Sequence, residues 1–356
     1  MRRLRVAPLA ALLTAAAAAE ASSVSDEVSV AGTQGTPQSP QARNVSNFLN
    51  GYVDVAEGWT LNLGAQVTVL GATAAAPGIP GNRGGTVTSF STGVDWEATD
   101  SWTFGATLEL SPSSTIGSDV RLRVLDRSTD VLRPADVLVQ TTSSILSLGM
   151  LAAYDTAGDS DLEWSFTAGL DLSRVDSQES ATANYLDDGA PVSNADLRAR
   201  CTPPRSGCQA LVPAIDGASA VLRYARVSAS AIAIVSRDTD LGLEFDYYGY
   251  ADNPVGILNP ATAGRTGTSA PLAPLRFLVR LGATHRFGDF SLRGWVQGGE
   301  YVPGAGEGTA SLGIKAQYKF SRAFRMWISA TGQRDEDPAG AISRTGIVAL
   351  GAGFRF

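Results

Sequence analysis

Three scarcities limit what this 356-residue chain can be. It has one histidine, His285, and two cysteines, Cys201 and Cys208. One imidazole cannot build a histidine-rich metal site, and the cysteines lie far from it, so neither a metal nor a cofactor is expected. Charged residues make up only 18% of the chain, and lysine is absent from its first half. The net charge of −7 gives no reason to bind nucleic acid. Beyond the N-terminus no run reaches the ~18 apolar residues that a membrane-spanning helix needs, so no such helix is expected. Hydrophobic content is nevertheless 44%, with 38 glycines, and that apolar material has to be placed somewhere.

The N-terminus reads as an export signal covering residues 1–21. Arg2, Arg3 and Arg5 precede an apolar stretch from Val6 to Ala19, and Ala19-Glu20-Ala21 supplies small residues for cleavage. An exported chain permits a disulfide between Cys201 and Cys208, which sit among turn-forming residues in CTPPRSGC. Such a bridge would pin a surface hairpin.

From Trp59 onward the apolar residues recur with period two. Trp59, Leu61, Leu63, Ala65, Val67 and Val69 share one face, with Thr60, Asn62, Gln66 and Thr68 on the other. The same alternation runs through 86–99, 102–110, 141–154, 161–176, 220–237, 241–250, 274–287, 290–301, 308–320, 324–334 and 344–356. That makes twelve strands joined alternately by short turns and longer connections. Segments 113–140 and 177–219 are expected as long loops; within the first, Asp119–Arg127 (DVRLRVLDR) alternates and is read as solvated loop, with a strand continued beyond the membrane or a short hairpin as the alternative. Aromatic residues of apolar parity gather beside the short turns: Trp59, Trp96, Trp102, Trp164, Phe287, Phe290, Phe320, Phe324 and Phe356. An interfacial aromatic girdle has this distribution.

The closing stretch Gly346–Phe356 (GIVALGAGFRF) alternates apolar residues and ends on phenylalanine. It resembles the last strand of Gram-negative outer-membrane β-barrels. The resemblance implies an all-β, transmembrane, antiparallel up-and-down barrel at residues 22–356, with both termini periplasmic. It also implies contact with outer-membrane lipid and recognition of Phe356 by the barrel assembly machinery. Residues 22–57 decide the strand number. Gly51–Trp59 loosely parallels Gly93–Trp102, each a strand, an acidic turn and a strand opening on Trp, so Ser25–Gly32 and Val45–Ala56 would complete fourteen strands. The alternative leaves this region as a periplasmic extension of a twelve-stranded barrel.

Residues alternating with the lipid face line the interior. The earlier strands place Asp54, Asp95, Glu97, Glu109, Glu163, Asp171, Glu244 and Asp246 there. The later strands place Arg276, Arg280, Arg286, Arg293, Lys315, Lys319, Arg325 and Arg355. An acidic wall facing a basic wall resembles the constriction of porins and implies passive passage of small polar solutes. The opposing charges could instead pair and close the lumen, leaving a barrel that acts through its outer loops. Trp295, Trp327, Tyr248 and Tyr250 have lumenal parity and either narrow the path or line one for an amphipathic solute. His285 carries lipid-face parity beside a short turn, and no GxSxG motif is present, so no enzyme is expected. Outer-membrane hydrolases resemble this architecture but place their catalytic histidine toward the opposite end.

Overall fold

A computed structural model describes residues 22–34, 42–72, 81–156, 163–203, 208–254, 274–304, 306–336, 340 and 342–356. The export signal falls outside them. Fourteen antiparallel strands close into one barrel in simple sequential order. They are β1 (Ser22–Gln34), β2 (Ala42–Ala56), β3 (Trp59–Leu70), β4 (Gly81–Glu97), β5 (Trp102–Asp126), β6 (Val131–Asp155) and β7 (Glu163–Tyr185). The second half comprises β8 (Ser219–Ser236), β9 (Thr239–Tyr250), β10 (Leu275–Phe287), β11 (Phe290–Tyr301), β12 (Gly308–Lys319), β13 (Phe324–Glu336) and β14 (Ile342–Arg355). Residues 22–57 therefore supply two strands rather than an extension. Closure runs from Ser23 opposite Arg355 to Gln34 opposite Arg344.

The period-two pattern becomes a lipid-facing belt. Val348, Leu350 and Phe354 on β14 lie level with Val30, Val28 and Val24 on β1. Leu350 is 54% exposed, although it sits in the middle of a paired strand. Only lipid makes that arrangement favourable. At the short-turn end the aromatics stack in pairs: Trp59 with Trp96 at 5.8 Å, Phe320 with Phe324 at 5.4 Å and Phe324 with Phe354 at 4.7 Å. Asp26 and Asn47 also face outward, and the Asn47 amide donates to the Asp26 carboxylate at 2.6 Å.

Strands β5, β6 and β7 run 25, 25 and 23 residues, far longer than a tilted crossing requires. Segment 113–140, expected as a loop, is strand apart from a four-residue turn, and Asp119–Arg127 lies in β5 up to Asp126. The first part of 177–219 continues β7 to Tyr185, and the rest carries helices α1 (Asn194–Cys201) and α2 (Val212–Ile215). The strands were hidden because their apolar side changes partway along. On β6, Leu146, Leu148 and Met150 face outward and are exposed, whereas Ala135, Val137 and Ile145 face inward and are buried. A bulge between Ser111 and Ser114 resets β5 at the same level. Above it the outward residues are polar, as with Arg121, Asp136 and Arg174. The inward Val124, Val137 and Ala183 bury Leu197 and Cys201 of α1 and Ile215 of α2. The upper part of these strands is thus a water-facing tower with its own small core.

Cys201 and Cys208 are bonded, and both are buried in that core. The bridge ties the end of α1 to the start of the next turn, rather than pinning a hairpin. Arg133 on β6 binds three carboxylates at the tower's top: Asp126 at 2.9 Å, Asp187 at 2.5 Å and Asp188 at 2.6 Å. Its guanidinium also lies 4.0 Å from the centre of the Tyr185 ring. Hydrogen bonds from Ser128 and then Arg133 hold the Asp126 carboxyl well below the usual range. Arg133 lowers Asp187 in the same way, and the Ala190 N–H followed by Arg133 lowers Asp188.

Three outcomes follow from this architecture. Leu350→Arg is expected to cost about 2–4 kcal/mol of folding stability in lipid vesicles, measured by denaturant titration. Cys201→Ser with Cys208→Ser should destabilise the tower by about 2 kcal/mol and leave the barrel resistant to detergent denaturation. The three lowered carboxylates stabilise the tower fully above their unfolded pKa, near ~4, and lose that contribution as pH falls through their lower folded values. Proteolysis within 186–218 should accordingly accelerate on acidification below that point, and a rate constant down to strongly acid pH would show that Arg133 does not hold the tower.

Candidate functional site

Residues opposite in parity to the lipid belt enclose a central cavity of about 710 Å³. Its wall is drawn from strands on all sides, from Glu27 on β1 through Asp171 on β7 and Arg280 on β10 to Ala349 on β14. A second space of about 610 Å³ opens at the short-turn mouth.

Of the charges expected inside, Glu109, Asp171, Glu244, Asp246, Arg280, Arg293 and Lys315 line the central cavity. Lys319 and Arg325 line the short-turn mouth, together with Asp54, Arg286, Arg322 and Arg355. Asp95 lies off the central cavity, where its carboxylate accepts from the Asn62 amide at 2.5 Å. Glu97 and Glu163 sit near the short-turn ends of β4 and β7 and line neither space. Arg276 stands beside an irregularity in the β10–β11 register and meets Glu300 at 3.6 Å, outside the central wall.

The acidic and basic residues are not held apart as two facing walls throughout. Between β7 and β11 they are stitched along the wall. Arg226 on β8 donates through Nε and Nη2 to one oxygen of Asp171, at 2.8 and 2.6 Å. Glu244 receives Arg280 at 2.8 Å and Arg293 at 3.2 Å. Arg280 also donates twice to the Gln297 side-chain oxygen, at 2.9 and 2.6 Å. Nearer the short-turn mouth, Arg286 binds Asp240. A cross-strand partner only ~5 Å away outcompetes one across a water-filled bore, where screening weakens the attraction.

Arg226 was missing from the expected set, as were Asp240 and Arg322. The signal for Arg226 was present in β8, where Tyr224, Arg226, Ser228 and Ser230 alternate with Ala225, Val227 and Ala229. The small apolar face made that strand look featureless. Glu27 was missed as well. Its carboxylate accepts from the Trp327 indole N–H, and Lys315 lies 4.5 Å from the centre of that indole ring.

Trp295 lines the central cavity, whereas Trp327 lines neither space. Trp295 lies against Gly313, directly opposite it on β12, and Trp327 against Gly351 on β14. A Cβ at either glycine would overlap the ring. The glycines therefore let two of the largest side chains lie flat against neighbouring strands.

His285 faces outward near the short turn at Gly288. Its Nδ1 is 2.8 Å from the Thr239 hydroxyl, and its ring meets Phe287 edge-on at 4.3 Å. Among the described residues no group of three or more potential metal ligands is found.

No family model matches the chain, and no curated protein matches it. Solved structures do. The Ralstonia pickettii toluene transporter TbuX superposes with a TM-score of 0.56 at 10% identity, over 94% of this chain and 89% of that one. A FadL homologue from Pseudomonas aeruginosa gives 0.51 at 12% identity, over 94% and 90%. The P. putida toluene transporter TodX gives 0.50 at 11% identity, over 96% and 91%. At these identities the likeness is one of fold: this chain has the fold of bacterial outer-membrane β-barrels.

If the wall is stitched locally, Arg226→Ala and Asp171→Asn should be coupled by about 1 kcal/mol in a double-mutant cycle on unfolding. Additive effects would mean that the two charges find partners elsewhere.

Proposed function

We propose that the chain is an outer-membrane channel for passive diffusion of small polar solutes. The observation that supports this most is the position of the lumenal side chains. Arg226, Arg280 and Arg293 in its wall are paired to neighbouring carboxylates, and the Trp295 indole lies against Gly313, an arrangement that supports a water-filled middle. The toluene transporters that share the fold are named for an apolar hydrocarbon. This bore is lined by Glu109, Asp171, Arg226, Glu244 and Arg280, so passage is carried over from the likeness and the hydrocarbon is not.

In this reading the short-turn end, with both strand termini, faces the periplasm, and the tower stands outside the cell. The assembly machinery engages the C-terminal Phe356, and removal of that residue should reduce the yield of folded barrel in the outer membrane. A second reading rests on the tower, whose polar outer face and bridged core suit a protein that meets an external partner. Nothing in either reading requires a cofactor or catalysis.

Single-channel recording in planar bilayers separates the two. Stable conductance is expected, and Gly313→Val should lower it roughly twofold by pushing Trp295 into the bore. No current from correctly folded protein across a range of salt would remove the channel reading and leave the tower.

A further inference from the structure

One lumenal row has a chemistry that simple diffusion does not need. From the short-turn end, the inward residues of β9 are Asp240, Gly242, Glu244, Asp246, Tyr248 and Tyr250. Asp240 and Glu244 are engaged by the arginines described above. Asp246 is different. It lines the central cavity half-buried, yet among the described residues no hydrogen bond or ion pair reaches its carboxylate. The fields of Arg226 and Arg280 reach it, but those guanidiniums are taken up by Asp171, Glu244 and Gln297, and the Glu244 and Asp171 charges oppose them.

Immediately outward of Asp246 the wall turns aromatic. The Tyr224 ring on β8 lies 6.4 Å from that of Tyr248 and 5.6 Å from that of Tyr250. The Tyr250 hydroxyl donates to the Leu275 carbonyl at 2.8 Å, which fixes its ring. Leu278 pairs with Asp246 in the register and adds aliphatic surface to the same cavity. Alternate residues on a strand are about 7 Å apart, so the carboxylate and the tyrosines are separated by about the length of a short alkyl-aryl chain. A half-buried carboxylate with no partner favours a cation, and aromatic faces favour both the cation and its apolar body.

We propose that Asp246, Tyr224, Tyr248 and Tyr250 form a binding site for an organic ammonium ion with an aromatic or aliphatic body, of the primary arylalkylamine class. The ammonium donates to Asp246, and the body lies against the tyrosines. This deepens the channel reading by naming a solute class for the same lumen, but binding can be measured without any current.

The test is calorimetric titration of folded, detergent-solubilised protein with phenethylammonium, run beside phenylacetate, with heat-modifiable mobility as the folding control. Saturable binding of the cation and none of the anion at equal concentration is expected. Asp246→Asn should weaken binding about tenfold. Tyr248→Leu, which leaves every charge in place, should weaken it severalfold and provides the reading if the Asp246 variant fails to fold. Phenylacetate binding as well as the cation would assign the site to the arginines and overturn the proposal, as would wild-type affinity in either folded variant. Binding without conductance would leave the site standing and remove the channel, and conductance without binding would do the reverse.

Discussion

Everything in this molecule depends on pairing every strand edge. Within hydrocarbon an unpaired backbone N–H or C=O has no water to turn to, so an open sheet is excluded and closure is obligatory. The contact that meets this condition joins the first and last strands, Ser23 through Gln34 against Arg355 through Arg344. Its outward residues are Val24, Val28 and Val30 against Phe354, Leu350 and Val348, so the joint is as apolar as the rest of the belt. Asp26 interrupts it, and the Asn47 amide supplies the hydrogen bond that lipid cannot.

Once the backbone is satisfied, side chains are sorted by the pleat alone. Odd and even positions of one strand face different media, which is why so much of the barrel was legible. The belt, the girdle, the order of strands and even the marginal first pair follow from period two and the positions of the turns. The alternation stops marking the lipid face where the medium outside the wall stops being lipid. In β5, β6 and β7 the medium outside the wall changes from lipid to water partway along, and the apolar residues move to the inner face. The alternation of Val120, Leu122 and Val124 was visible, but it belonged to a different core. The helices that cover that core lie in a segment with little periodicity to reveal them.

The interior was less legible than the wall. Parity identifies inward residues but not how far each reaches or which neighbour it meets. Arg226 changed the picture most, because it pairs with Asp171 across one ladder step and removes an acid from the supposed acidic wall. Gly313 and Gly351 carry no chemical signal in sequence, yet they decide whether Trp295 and Trp327 can lie flat against neighbouring strands. Such effects depend on which residues are register partners, and register around a closed barrel is set by all the turns together.

The level at which the apolar residues change sides has a mechanical consequence. Just below it on β7 and β8, Leu172 faces Ala225 across the outer surface, and one pleat higher Arg174 faces Arg223. A downward slip of the barrel by one pleat would carry both guanidiniums into hydrocarbon, at about 2–4 kcal/mol each if they reached its midplane and less near the edge. An upward slip would lift Leu172 and Leu170 into water. The protein therefore carries its own waterline, and its depth in the bilayer is held by adjacent residues on single strands as well as by the aromatic ring at the other end.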